Sequence, residues 1–482
     1  MFTDNRTIYI RREIMAKIAK LFFDGKFVEE IDRLPAKVIS RTAQPYRCCI
    51  QKDREMVRLR AISAMGFGLE DEDAIDAKLL SDFAREALGR DNIETQILTF
   101  MNEGCNDCVR VNYYVTEVCR NCVAKPCLMN CPRGAIVPGS KKMTIDGAKC
   151  VNCGKCLAVC PYHAIVYVPV PCEEACPTGA LHKDENGRES IDYDKCIYCG
   201  KCIRGCPFGA VTEKSQIVDV MRSLVSGKAA ALVAPAVVGQ FPGTMGQIAG
   251  ALRALGFAHV VEVAAGADVT VKTEAEEIAE RLGAGDPMMG TSCCPAYVEA
   301  VKKHAKNFER YVSHAKTPMA YTARMAREAY PGEKTVFIGP CVAKRHEGLG
   351  NPDVDFVITF EELGSLLVGK DIDIQTSEES AFDLADASAD ARNFPATGGV
   401  ASAVKHALEG SPLEVKPVLV DGLTRKNIAL LKAYGAGKCP GNLVEVMSCE
   451  GGCLHGPGVI TNPVLSKKKL CEYTGKEIDV KK

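Results

Sequence analysis

Three things are scarce in this chain of 482 residues: an excess of either charge, long apolar runs, and tryptophan. Lysine plus arginine (60) nearly cancels aspartate plus glutamate (61), so net charge gives no reason to expect nucleic-acid binding. No apolar stretch reaches the roughly 18 residues of a membrane-spanning helix. The opening Met1-Phe-Thr-Asp-Asn-Arg-Thr-Ile8 lacks the basic segment and apolar run of a secretory signal. A soluble, cytoplasmic protein with no membrane span is expected. The missing tryptophan decides nothing, and an apolar fraction of 47% supports ordinary globular cores in about three domains.

Cysteine is abundant instead: 25 residues, an odd number, mostly in CxxC-type spacings in a chain too large to need disulfide staples. Cys119-x2-Cys122-x4-Cys127-x3-Cys131-Pro132 is followed by Cys150-x2-Cys153-x2-Cys156-x3-Cys160-Pro161, Cys172-x3-Cys176-Pro177 and Cys196-x2-Cys199-x2-Cys202-x3-Cys206-Pro207. The C-x2-C-x2-C-x3-C-P run is the bacterial ferredoxin signature for [4Fe–4S] clusters, in which the fourth Cys ligates the other cluster of a pair. A zinc site would separate its two CxxC knuckles by a dozen or more residues.

Applying that exchange groups Cys119, Cys122 and Cys127 with Cys160, and Cys150, Cys153 and Cys156 with Cys131. Cys196, Cys199 and Cys202 take Cys176. The remaining Cys172 and Cys206 need two more thiols, and Cys105 and Cys108 are the nearby pair left. Four accessory [4Fe–4S] clusters on 16 cysteines are expected, with one two-cluster module inserted between Cys108 and Cys172 of another, as in polyferredoxin electron-transfer subunits.

Residues 1–100 read as a small helical region without assigned chemistry. Ile10, Ile14, Ile18, Leu21 and Phe22 recur at helical spacing, and a second helix is expected from Glu72 to Leu88. Cys48 and Cys49 read as free thiols, because adjacent cysteines chelate one tetrahedral metal poorly. Residues 101–216 form the α+β ferredoxin-like region. From 217 to 482 the pattern changes to strands at Ala229-Ala-Ala-Leu-Val-Ala-Pro-Ala-Val, His259-Val-Val-Glu-Val, Thr335-Val-Phe-Ile-Gly and Phe356-Val-Ile-Thr, with helices at Glu274–Leu282 and Tyr297–His304. That predicts an α/β domain with twisted, mostly parallel sheets flanked by helices, and sites in the loops at strand ends.

Three Cys-bearing loops stand out there: Thr291-Ser-Cys-Cys-Pro295, Ile338-Gly-Pro-Cys-Val-Ala-Lys-Arg-His-Glu347 and Glu445-Val-Met-Ser-Cys-Glu-Gly-Gly-Cys-Leu-His-Gly456. Glycines between and after Cys449 and Cys453 suggest a bulky inorganic group pressed against the backbone, and a helical segment would put both sulfurs on one face. Successive side chains diverge, so one of Cys293 and Cys294 is expected to be left over. If the loops converge, they supply four ligands plus a spare thiol beside a string of electron-carrying clusters. Redox chemistry with a proton donor follows. Cys439 and Cys471 read as structural or free thiols.

These three motifs, in this order, resemble those of the [FeFe]-hydrogenases. Val233-Ala-Pro-Ala-Val, Ser313-His-Ala-Lys-Thr-Pro, Ala396-Thr-Gly-Gly-Val and Asp421-Gly-Leu match as well, over about residues 229–463. The resemblance implies an H-cluster. Cys294, Cys341, Cys449 and Cys453 would hold its [4Fe–4S] half, and Cys453 would bridge to a di-iron unit carrying CO, cyanide and an azadithiolate. Lys344 would hydrogen-bond a cyanide, Met447 would pack beside the di-iron unit, and Ser292 and Pro340 would line the cofactor pocket. Cys293 would relay protons, with Glu274, Glu277 and Ser313 continuing the path.

By the same resemblance the substrates are H2 and protons, the electron partner is a ferredoxin-like carrier, and hydrogenase maturation proteins assemble the cofactor. Tyr297, Gly339, Ser448 and Met319 depart from the Trp, Met, Ala and Gln of the best-known members and resemble a separate subgroup. Two alternatives share the motifs: a hydrogen sensor with little turnover, and a plain Fe–S electron carrier.

Overall fold

The structure is a computed structural model, and it describes residues 5–475 except 106, 107, 110, 186 and 385. Helix Arg6–Phe23 starts at Asn5, whose side chain accepts the Ile8 N–H at 3.1 Å and so satisfies one of the free donors of the first turn. It buries Ile14, Ile18 and Leu21, as the apolar spacing predicts. A further helix spans Ile50–Ala64.

The expected helix from Glu72 to Leu88 is broken into Glu72–Asp76 and Leu80–Gly89. Asp82 turns back to accept the Leu79 N–H at 2.9 Å and restarts the helix. Arg58 takes the carbonyls of Ile75 and Lys78, which a continuous helix would use internally.

The N-terminal helices do not form a core of their own. Ile14, Ile18, Ile62 and Phe83 belong to the same buried apolar cluster as Val220, Leu232, Ile338 and Leu366. Helix Arg6–Phe23 lies against helix Phe360–Gly369, where a Cβ on Gly369 would sit 2.4 Å from Ala19 Cβ. Arg11 and Arg12 both pair with the buried Glu361.

The cysteine-rich region is built on two-stranded antiparallel ribbons. Leu98–Phe100 pairs with Val211–Glu213, Tyr113–Val115 with Ile165–Tyr167, Ile136–Pro138 with Met143–Ile145, and Leu181–Lys183 with Glu189–Ile191. The first ribbon closes the whole region and the second closes an inner unit within it. Leu98–Phe100 lies on the N-terminal side of the boundary drawn at residue 101.

Beyond it, two parallel sheets carry the α/β domain. One has the order His259–Glu262, Ala229–Val233, Lys334–Gly339, Phe356–Thr359. The other runs Met289–Gly290, Leu443–Met447, Pro417–Asp421. Every residue of Ala229–Val233 and of Leu443–Met447 is buried, as parallel strands covered on both faces require. Helices Ala264–Gly283, Pro295–His304, Pro318–Ala329 and Gly399–Ala407 flank the sheets. The first two contain the helical segments expected from sequence. No helix among the described residues is long and apolar enough to cross a membrane.

Candidate metal centre

All three cysteine loops leave the C-terminal ends of parallel strands, where open α/β sheets build their sites. Cys293 and Cys294 follow Met289–Gly290, with Cys294 preceding Pro295 at the start of helix Pro295–His304. Cys341 follows Lys334–Gly339, and Cys449 and Cys453 follow Leu443–Met447. These five cysteines line one cavity, together with Pro340, Lys344, Phe394 and Met447. Cys199, from the cysteine-rich region, lines the same cavity. Among the described residues no three His, Cys, Asp or Glu side chains are grouped to hold a single metal ion.

Two readings of side-chain direction need correction. Cys293 and Cys294 both line the cavity, because the segment between Gly290 and Pro295 is irregular and strand alternation does not apply. Cys449 and Cys453 do not share a helix face, since Gly451 and Gly452 have φ of +80° and +89°. The glycines admit protein as well. A Cβ on Gly452 would lie 2.3 Å from the Pro395 carbonyl oxygen, and one on Gly456 would lie 2.4 Å from that of Pro340. The second approach presses the Cys341 and Cys453 loops together, and the first seats the Cys453 loop on the Pro395–Thr397 segment. Gly339 has a similar cause: a Cβ there would meet the Phe337 ring at 2.6 Å, and Phe337 itself lines the cavity.

The chemistry of the donors fits an iron–sulfur group. Burial pushes the Cys294, Cys341, Cys449 and Cys453 thiols up, and they also repel one another as thiolates. Four soft donors crowded in a dry cavity are stabilised as thiolates by bound iron. Lys344, with 9% of its surface exposed, lines the cavity and donates to Glu347 Oε2 at 2.7 Å.

Behind Cys293, Ser292 is buried against Glu274. Burial pushes Glu274 up to about 7, although the Ser292 N–H and hydroxyl oppose the shift. One helical turn further, Glu277 accepts the Ser313 hydroxyl at 2.6 Å, Arg281 at 2.6 Å and the His314 N–H at 3.0 Å. Burial raises Glu277, but Ser313 and Arg281 outweigh it and hold the carboxyl below its ordinary value. The His314 side chain is exposed, so this run of polar groups ends at the surface.

The accessory thiols fall into groups. Cys119, Cys122 and Cys160 each push Cys127 up. Cys131, Cys150, Cys153 and Cys156 line a small cavity of their own. Cys176, Cys196 and Cys199 surround Cys202, and Cys105, Cys108 and Cys206 lie about Cys172. Four turns repeat one bond: the N–H of Ala135, Ala164, Ala180 and Ala210 donates to the thiol four residues earlier, Cys131, Cys160, Cys176 and Cys206, at 3.2–3.3 Å.

Sequence reasoning missed two buried charges. Glu445 interrupts an otherwise apolar strand, and that is its signal. Burial pushes it up to about 7, while its oxygens accept the N–H groups of Gly398 and Ala401, each at 2.7 Å, fixing the loop over the cavity. Arg345, beside Lys344, is wholly buried and pairs with Glu362 at 2.6 Å and Glu213 at 3.1 Å.

Residues 227–457 match the family model for the iron only hydrogenase large subunit, C-terminal domain. A 4Fe-4S dicluster domain model matches 171–210 and a 4Fe-4S binding domain model 142–165. The NADP-reducing hydrogenase subunit HndD of Solidesulfovibrio fructosivorans is 33% identical over 385 residues, covering 67% of this chain and 58% of that protein. This chain therefore spans somewhat over half of that relative. Iron hydrogenase 1 of Clostridium pasteurianum is 30% identical over 399 residues, 71% of this chain and 68% of that one. An apo [FeFe]-hydrogenase structure from Chlamydomonas reinhardtii aligns with a TM-score of 0.45 at 23% identity, over 55% of this chain and 89% of the other. The chain belongs to the [FeFe]-hydrogenase large-subunit family, with 4Fe-4S ferredoxin-like domains ahead of its iron-only hydrogenase domain.

Proposed function

We propose that the protein is a working [FeFe]-hydrogenase that interconverts H2 with two protons and two electrons. One observation carries this reading: five thiols, Lys344 and Met447 line a single apolar cavity that Cys199 of the accessory region also reaches. Cys294, Cys341, Cys449 and Cys453 would hold an H-cluster. When bound, that group supplies the redox and H–H bond chemistry.

The chain's own residues supply the surroundings. Lys344, kept charged by Glu347, offers a charge-assisted contact to an anionic ligand. Met447, Pro340 and Phe394 keep the cavity dry. Cys293 holds and releases a proton at Sγ, Glu274 takes it from the Cys293 side, and Glu277, oriented by Ser313, passes it towards the His314 surface.

On the electron side, the four groups of accessory thiols hold four [4Fe–4S] clusters, of which the one using Cys199 adjoins the cavity. A ferredoxin-like protein exchanges electrons with the outer clusters, maturation proteins install the di-iron unit, and the thiols call for a reducing compartment such as the cytoplasm.

The test is infrared spectroscopy on protein assembled with the family's maturation machinery, followed by H2 evolution from a reduced dye. Bands of bound CO and cyanide with steady turnover are expected. Iron without those bands would mark a plain electron carrier, and bands with negligible turnover a sensor.

A further inference from the structure

Cys199 is followed by a turn at Gly200 (φ +74°), where a Cβ would sit 2.9 Å from Pro457 Cγ and 3.2 Å from Val342 Cβ. The turn is thus wedged between the loops that follow Cys341 and Cys453. From it Lys201 reaches the loop that follows Pro417–Asp421. Its Nζ donates to the Leu423 carbonyl at 2.6 Å, and the Leu423 N–H donates to the Ser448 carbonyl at 2.9 Å. Ser448 adjoins Cys449, so one continuous run of covalent and hydrogen bonds joins Cys199 to Cys449 through a single ammonium group.

We propose that Lys201 is a positioning residue shared by two redox groups: it ties the Cys199 turn to the Cys449 loop, and its charge favours the reduced state on both sides. This rests on both thiol sets being cluster ligands. Among the described residues no carboxylate pairs with Lys201, so its charge is not cancelled locally.

Adding one electron to a thiolate-ligated cluster makes it more anionic, and a nearby fixed cation stabilises that form more where the surroundings are dry. Net charge and hydrogen bonding are among the levers that set such potentials. An electron passing from a cluster held at Cys199 to one held at Cys449 would oxidise the first and reduce the second. A cation between them lowers the work of holding the electron at either end.

The experiment uses the matured full chain with Lys201→Gln and Lys201→Arg. Iron content, infrared bands and the midpoint potentials of the clusters on Cys199 and on Cys449, followed by paramagnetic resonance, are read for each. Lys201→Gln should keep its iron and lower both potentials by about 59 mV, a tenfold change in the oxidised-to-reduced ratio at fixed potential for one electron. Lys201→Arg should restore the wild-type values. Unchanged potentials in Lys201→Gln, a shift at one cluster alone, or an equal shift in Lys201→Arg would overturn the proposal. Absence of CO and cyanide bands from the wild-type protein would instead defeat the hydrogenase reading, and the cluster potentials would still decide the role of the lysine.

Discussion

Ser292 donates its backbone N–H at 2.9 Å and its hydroxyl at 3.1 Å to the same oxygen of Glu274, Oε1, leaving Oε2 buried with no partner. The loop that carries Cys293 thereby sets the orientation of the acid behind it. The open oxygen is where a proton can be held.

Glu274 should govern the pH dependence of turnover. Its carboxyl, pushed up to about 7 by burial, is protonated and able to donate below that pH and is a carboxylate able to accept above it. H2 formation should therefore fall, and H2 oxidation rise, as pH passes upward through about 7. In Glu274→Gln both rates should drop by about 10²-fold or more, and the inflection near 7 should disappear from plots of steady-state rate against pH in each direction.

Cys293→Ala should separate chemistry from assembly. The thiol lines the cavity but is the one left over from the four proposed ligands. Turnover should fall by about 10²–10⁴, while iron content and infrared bands stay at wild-type levels. An alanine variant with full activity would remove the thiol from the proton path.

Gly452→Ala should damage the site through packing. At φ +89° a Cβ would sit 2.3 Å from the Pro395 carbonyl oxygen and 2.8 Å from the Thr397 nitrogen, so backbone strain and overpacking act together. A loss of about 2–4 kcal/mol is expected, read as a lower denaturant midpoint followed by circular dichroism. Gly285→Ala, a positive-φ glycine with open space around it, should cost less than half as much.

Arg345→Met should loosen the join between the cysteine-rich region and the α/β domain. The guanidinium, with no exposed surface, holds Glu362 and Glu213, and its removal leaves Glu362 buried without its cation and Glu213 with only the more distant Arg11. A loss of about 3–5 kcal/mol is expected. Adding Glu362→Gln should recover part of it in the same unfolding measurement.

Much of this was legible in the sequence because the chemistry is local. A C-x2-C-x2-C-x3-C-P run states its own geometry, and the apolar strands Ala229–Val233 and Lys334–Gly339 advertise burial on both faces. The break between Asp76 and Leu80 was not legible, because it depends on Arg58 arriving from another helix. The glycines of the Cys449–Gly456 loop pointed to close approach but not to what approaches. Pro395 and Pro340 come from distant parts of the chain. Lys201 carries no motif beyond its place after Gly200, and its meaning comes from Leu423 and Ser448, which only the packed sheets bring near.

The inner ribbon of the cysteine-rich region closes on itself at its neck: Val168 N–H meets the Asn112 carbonyl at 2.6 Å, just outside the pairing of Tyr113–Val115 with Ile165–Tyr167. The chain therefore departs for the inner unit and comes back at adjoining points. A segment mounted this way is a cassette. Its two ends meet, so the path of the chain around it does not depend on what the inner unit contains.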